Sequence, residues 1–258
     1  MEIKIIVATH KAYRMPEDKM YLPVHVGAEG KDIIEGYERD NTGDNISQKN
    51  PSFCELTGLY WAWKNVDADY IGLAHYRRHF KGKNKGKKPF DKILTSEEAE
   101  KLVVENDIIL TKKRKYYIEN IYDHYKHTLY VETLDKAGEI LKTKYPEYAE
   151  SFDKCMKHTY MHAFNMFIMK KEYLNEYCQW LFDILFQLEE ELKDKKYSTF
   201  HSRYPGRISE LLLDVWLEKN GYKYIEVPFI YMDNINYFKK GLSFLKSKFF
   251  HKRYEESF

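Results

Sequence analysis

Hydrophobic positions fall along the chain in short unbroken runs and in longer stretches with helical spacing. Ile3–Thr9 is a run rich in β-branched residues, the profile of a strand covered on both faces in a parallel sheet. Residues 11–50 are punctuated by Pro16, Pro23, Gly27, Gly30, Gly36 and Gly43, so they read as loop-rich. Pro51 suits the first turn of a helix capped by Asn50 or Ser52. Leu56, Leu59, Tyr60 and Trp63 then recur at helical spacing as far as Asn65. Asp69–Arg78 returns to the profile of a buried strand, and strand, loop, helix, strand is the order of an α/β unit.

Lys81–Lys88 holds five Lys and two Gly, a solvated loop. Thr95 or Ser96 caps a predicted helix, with Glu98 placed for a capping box. Asp107–Thr111 is a short predicted strand followed by a basic turn, Lys112–Lys115, and residues 120–150 read as helical. Ala163–Met169 is a further apolar strand. It feeds an amphipathic helix over Glu172–Lys193, with Leu174, Tyr177, Leu181, Leu185, Leu188 and Leu192 on one face. A helix begins near Arg207 and runs through Leu217, and Tyr224–Pro228 is a late strand. The pattern predicts an α/β fold with a mixed central sheet flanked by helices and a helical C-terminal region. Residues 1–236 are expected to form a single domain, with 237–258 as a separate tail.

Composition excludes several classes. The 258 residues carry 42 basic and 40 acidic side chains, a formal net charge of +2, which argues against a generally polybasic nucleic-acid coat. An aromatic content of 16% is too high for a disordered chain. Tyr177–Leu188 is the longest apolar stretch, and Gln179 and Asp183 interrupt it well short of the ~20 residues a bilayer needs. The N-terminal segment has no basic region of a signal peptide and reads as a strand. Cys54, Cys155 and Cys178 form neither a disulfide framework nor a zinc ribbon, in keeping with a reducing compartment.

Several blocks then carry a resemblance: Asn45–Asn50, Phe53–Thr57, Tyr60–Asn65, Gly72–Arg78, Asn165–Met169, Tyr177–Phe186 and Arg207–Leu217. Together, from Ile3 to about Tyr231, they resemble a bacterial family of capsular-polysaccharide glycosyltransferases, domain of unknown function family 4422. The resemblance implies a GT-A-like nucleotide-sugar fold and transfer of a hexose from a nucleotide donor to a lipid-linked capsular or exopolysaccharide glycan. Family habit points to a uridine diphosphate donor carrying galactose, as pyranose or furanose. It also implies an enzyme on the inner face of the plasma membrane.

In such a fold the first strand ends at the base and ribose, here Thr9, His10 and Lys11; the same residues also suit an ordinary polar strand end. Lys49 and Asn50 are assigned to the donor side with them. The usual Asp-x-Asp of GT-A enzymes is out of place, because Asp67-Ala-Asp69 precedes its strand instead of following it. His75-Tyr76-Arg77-Arg78 stands there instead. Guanidinium groups bind phosphate bidentately and can stabilise a departing diphosphate. The expectation is transfer without a required metal or other cofactor, with Arg77, Arg78 and His75 on the phosphates. Alternation along the strand sends one of the two arginines to solvent.

An inverting transferase needs a group that accepts the proton of the acceptor hydroxyl. Glu210 is the first candidate and also suits a helix cap together with Ser209; Asp44 and Glu55 compete for the role. His162, Asn165 and Arg207 are candidates for the acceptor sugar, although the first two equally suit satisfied polar groups at a strand start. The pairs His75/His79, His124/His127 and His158/His162 lack the other ligands of a zinc site, and no metal site is expected.

Residues 237–258 hold six Lys/Arg, two Glu and seven aromatics. They match an interfacial helix on an anionic membrane, beside a polyprenyl-linked acceptor, or a helix packed on the domain. No RNA-binding motif accompanies them, so nucleic acid is not an expected partner. A non-catalytic glycan- or nucleotide-binding protein of the same fold is the alternative function.

Overall fold

The computed structural model describes residues 1–233; the tail expected at 237–258 lies outside them. Along the chain run β1 (Ile3–Thr9), β2 (Tyr21–His25), β3 (Glu38–Arg39), α1 (Asn50–Phe53), α2 (Leu56–Asn65), β4 (Tyr70–His75) and β5 (Arg78–Phe80). Then come α3 (Ser96–Val103), β6 (Ile108–Thr111), β7 (Arg114–Lys115), α4 (Ile121–Thr128), α5 (Val131–Lys144), α6 (Ala149–Met156) and β8 (Tyr160–Met161). β9 (Phe167–Lys170), α7 (Lys171–Glu191), α8 (Tyr204–Asn220), β10 (Ile225–Val227) and β11 (Phe229–Tyr231) complete it.

The contacts divide the chain into two compact units. The first comprises Met1–Lys112, Ala163–Gln179 and Lys223–Asp233; the second includes Lys113–His162 and Trp180–Tyr222. The first unit holds a nine-stranded mixed sheet in the order β10-β6-β9-β4-β1-β2-β3, with β5 pairing β4 and β11 pairing β5. β1 runs parallel to both β2 and β4, while β9 is antiparallel to β4 and β6. Ile5, Ile6 and Val7 are wholly buried, because helices α2 and α3 pack against β1 in the way its apolar run requires. This is the expected α/β fold, a mixed sheet flanked by helices.

The second unit is helical, apart from the two-stranded β7–β8 pair. Trp216 is 1% exposed in its core, and the rings of Tyr148 and Trp180 stack at 4.9 Å.

Differences from the sequence reading have local causes. The stretch read as loop contains β2, which Pro23 disguised; proline fits there because β2 pairs with β3 only beyond it, at Val24 and His25. The strand expected to continue to Arg78 ends at His75, and Tyr76-Arg77 turn it back into β5, with His75 opposite Arg78. Ala163–Asn165 is not strand, because Phe164 and Asn165 take φ of 76° and 52°. α8 starts at Tyr204 with Pro205 in its first turn, so Ser209 and Glu210 lie one turn inside it. Ser209 donates to the Gly206 carbonyl at 2.8 Å rather than capping the helix. Thr95 and Glu98 do form the expected capping box on α3.

Gly72 shows how tightly the sheet is assembled. A Cβ there would lie 2.8 Å from the Phe167 carbonyl oxygen and 2.9 Å from Ile168 Cγ1. One obstacle is the backbone of the neighbouring strand, which cannot rotate away. Gly72→Ala is therefore expected to cost about 2 kcal/mol, seen as a melting temperature lower by about 6 °C.

Candidate functional site

The carboxyl ends of the parallel strands β1 and β4 lie side by side, since Ala8 is opposite His75. The start of β9 joins the same edge, because Phe167 pairs with Leu73. α2 leads into β4, so its N-terminus, at Cys54–Leu56, belongs to this edge and its C-terminus to the other. Open α/β sheets bind ligands at such an edge.

Backbone strain concentrates here. The non-glycine residues with positive φ among the described residues are Cys54, Phe164 and Asn165. Each such residue costs on the order of 1–3 kcal/mol and persists where surroundings hold it. Here the holding contacts are visible: His75 Nε2 lies 2.6 Å from the Phe164 carbonyl oxygen and donates to it. Asn165 is 1% exposed, and its Nδ2 donates to Glu55 Oε1 at 2.7 Å. Glu55 is half-buried at the N-cap of α2, and its Oε2 makes no hydrogen bond among the described residues. Three candidates that the sequence could not relate, His75, Asn165 and Glu55, thus form one chain of contacts.

A cationic rim lies beside it. Arg77 is at the tip of the β4–β5 turn with its side chain 50% exposed, and its Nε donates to Asp233 Oδ2 at 2.7 Å. Tyr13 donates to the other oxygen of Asp233 at 2.7 Å. The Tyr13 hydroxyl and the Arg77 guanidinium together hold the Asp233 carboxyl below its ordinary range. Arg78 faces inward, 4.2 Å from the Phe164 ring centroid and 5.4 Å from that of Tyr231. Its Nε is buried without a hydrogen-bond partner. Lys11 lies 5.6 Å from the Tyr76 ring and His10 5.4 Å, so both exposed side chains of the β1 end border the turn that carries Arg77. One arginine is exposed, as expected, but it is the turn after His75 and not alternation along a strand that exposes Arg77.

Other sequence candidates are placed differently. Thr9 is 1% exposed and its Oγ1 is occupied by Lys11, donating to its carbonyl at 2.7 Å; it shapes the strand end from within. Lys49 lies 5.9 Å from the Phe53 ring, and Asn50 donates to the Cys54 carbonyl at 2.7 Å and to Thr57 Oγ1 at 3.2 Å. Asn50 thereby supports the strained turn before Glu55. Asp44 is exposed near the far end of α2, where Tyr60 donates to it at 3.2 Å and Asn65 to its carbonyl at 2.8 Å. Asp69 sits at the amino end of β4, accepting from the Glu2 amide at 2.7 Å. The six residues of β4 span ~20 Å, so Asp67 and Asp69 lie at the opposite edge, as their position before the strand predicts.

Glu210, Arg207 and His162 belong to the second unit. Glu210 lies near Tyr116, where burial raises the phenol's pKa and the Glu210 charge adds to the rise. Arg207 stands 4.0 Å over the Phe200 ring. The His162 side chain is wholly buried, with Asp214 bonded to both its Nδ1 and its backbone amide. Its neighbours make it a core histidine. His124 and His127 share the buried Glu119, at 3.5 and 2.9 Å, and burial together with the Arg114 charge lowers His124 to about 4. His79 is buried without hydrogen-bond partners, and burial lowers it to about 3.

One feature near the site was invisible in the sequence. Asp40 is wholly buried and its carboxylate accepts four hydrogen bonds: Gly27 N at 2.7 Å, Ala28 N at 3.0 Å, Ser47 Oγ at 2.5 Å and Thr57 Oγ1 at 2.5 Å. It ties the loop after β2 to the start of α2. In the sequence it follows Glu38 and Arg39 in a polar stretch, and nothing there marks it as buried.

Comparison with known proteins bears on the chain as a whole. Residues 4–221 match the family described as Domain of unknown function (DUF4422). The chain belongs to that family. Among solved structures, this DUF4422 chain is similar to the apo structure of WbbM, a bifunctional glycosyltransferase, with a TM-score of 0.83 and 31% sequence identity. The match covers 91% of this chain and 46% of the other, so the chain spans about half the length of WbbM. Comparison with curated proteins gives no match.

Proposed function

We propose that this DUF4422 chain is a glycosyltransferase that moves a hexose from a nucleotide donor, with uridine diphosphate as the favoured carrier and galactose as the favoured sugar. The likeness to a bifunctional glycosyltransferase supports the reaction class. The observation that carries the site assignment is the strained Phe164-Asn165 turn, clamped by His75 and delivering an amide to Glu55 at the strand ends. Strain of this kind persists where a fixed geometry serves function.

In this reading Lys11, Arg77 and Arg78 face the diphosphate. Arg77 Nε already binds a carboxylate oxygen of Asp233, and a phosphate group offers the guanidinium acceptor oxygens with more charge. The acceptor hydroxyl oxygen attacks the anomeric carbon, the bond from that carbon to the diphosphate oxygen breaks, and the hydroxyl proton passes to Glu55. Asn165 keeps one Glu55 oxygen occupied and so aims the other. A carboxylate base in this position corresponds to inversion at the anomeric carbon. Cationic side chains on the leaving diphosphate make a metal dispensable. The acceptor we propose is a polyprenyl-linked capsular or exopolysaccharide glycan, reached from the inner face of the plasma membrane with residues 237–258 on anionic lipid. No helix among the described residues is long and apolar enough to cross a membrane.

Calorimetric titration of uridine diphosphate, with manganese and again with chelator, tests the donor side. The expected result is binding in both conditions, weakened at least about tenfold in Arg77→Ala by loss of a charge-assisted contact. Binding only with manganese would overturn the metal-independent reading. Absence of binding in both would remove the uridine donor and favour a non-catalytic glycan-binding protein.

A further inference from the structure

The second unit carries an exposed apolar turn between β7 and α4, just after a basic stretch, that the proposed reaction does not use. Tyr117 is 87% exposed and Ile118 64%, adjacent in a turn, whereas large apolar side chains are otherwise mostly covered. The turn is held firmly from beneath. Glu119 N donates to the Tyr116 carbonyl at 3.0 Å, closing a four-residue turn, and Tyr116 N donates to the Thr159 carbonyl at 2.7 Å. The buried Glu119 carboxylate is fixed by His127 at 2.9 Å, and the Tyr116 ring lies 4.3 Å from that of His124. The two exposed side chains are thus presented by an anchored turn and not by a slack loop.

Basic residues lead directly into this tip: Lys113, Arg114 and Lys115 precede it, with Arg114 and Lys115 forming β7 against β8. Lys115 is exposed, and Lys113 and Arg114 rest on aromatic rings, Nζ 4.8 Å from Tyr160 and Cζ 4.9 Å from Tyr116. The carboxylates around the turn are Glu119, Asp123 and Glu210. Glu119 is buried on the histidines, Asp123 accepts from the Asn120 side chain at 2.8 Å, and the Glu210 charge acts on Tyr116.

We infer that Tyr117 and Ile118 form a wedge that inserts into the interface of an anionic membrane, with Lys113, Arg114 and Lys115 on the lipid headgroups. An aromatic with a polar end and a β-branched aliphatic suit the headgroup–acyl boundary, and cations beside them suit anionic lipid. This inference uses no residue of 237–258 and does not depend on the transferase reading.

The test is flotation of the full chain with vesicles of phosphatidylglycerol and phosphatidylcholine, against vesicles of phosphatidylcholine alone. Binding is expected to the anionic vesicles. Tyr117→Ser/Ile118→Ser is expected to lower the partition coefficient at least about tenfold, and Lys113→Ser/Lys115→Ser about fivefold per charge at low salt. Since the tail also carries cations, a second measurement isolates the tip: Tyr117→Trp with lipids brominated on the acyl chain. Quenching in excess of the parent protein supports insertion. Unchanged flotation of the Ser variant, or no excess quenching, would overturn the wedge, and so would preference for a single-stranded oligonucleotide over the vesicles.

Discussion

Glu55→Gln is expected to lower kcat for release of uridine diphosphate from its hexose conjugate by about 10²–10⁴-fold, the usual contribution of a positioned acid or base. Nucleotide affinity should be nearly unchanged, because the diphosphate contacts lie with Lys11, Arg77 and Arg78. Glutamine has the size of glutamate and can still accept the Asn165 amide hydrogen bond, so the Phe164-Asn165 turn should survive. Only the capacity to take a proton is removed. Asn165→Ala tests the positioning role, with kcat expected to fall about tenfold and its pH profile to shift as the Glu55 carboxylate loses a donor. Glu210→Gln is the parallel experiment. If it abolishes turnover while Glu55→Gln does not, the proton acceptor is Glu210, and Glu55 serves only to hold the turn.

Asp40→Ala is expected to cost roughly 4 kcal/mol. It would leave two backbone amides and the Ser47 hydroxyl without their acceptor in a wholly buried place, while Thr57 Oγ1 keeps the Cys54 carbonyl at 3.1 Å, and each orphaned donor costs about 1–3 kcal/mol before relaxation or water entry recovers part of it. For a chain of this size the melting temperature should fall by about 10 °C or more. The midpoint of urea unfolding should fall with an unchanged slope. Asp40→Asn should cost less, about 2 kcal/mol, because one oxygen survives while the new amide meets donors that need an acceptor. An Asp40→Ala protein as stable as the parent would mean that these four hydrogen bonds add nothing net.

The two experiments address groups that differed in legibility. Glu55 was visible as a candidate because it stands at the start of a helix with regular apolar spacing, on the side away from Leu56 and Leu59. Its partner was not, because Asn165 is 110 residues away and meets it through an antiparallel crossing of β9 on β4. Asp40 was not visible at all. Burial of a carboxylate depends on donors gathered from Gly27, Ala28, Ser47 and Thr57, and no local pattern announces such a convergence. Pro23 concealed β2 for the opposite reason: a rule that holds for central strand positions was relaxed where β2 lacks a partner on one side.

Features that depend on neighbours along the chain could be read from the residues alone. A run rich in β-branched residues made β1 a buried strand and an apolar run made β4 another; helical spacing made α2 and α7; Thr95 and Glu98 capped α3; and the position of Asp67 and Asp69 before their strand put them at the far edge of the sheet. These follow from backbone geometry and from hydrophobic period, which act over a few residues. Only the tertiary structure decided that the β4 strand folds back at Arg77, that Phe164 and Asn165 take left-handed backbone, and that Glu55, Asn165 and His75 meet at one strand edge. Each of these is set by contacts between distant segments, where packing and hydrogen-bond satisfaction outweigh local preference by about 1–3 kcal/mol per strained residue.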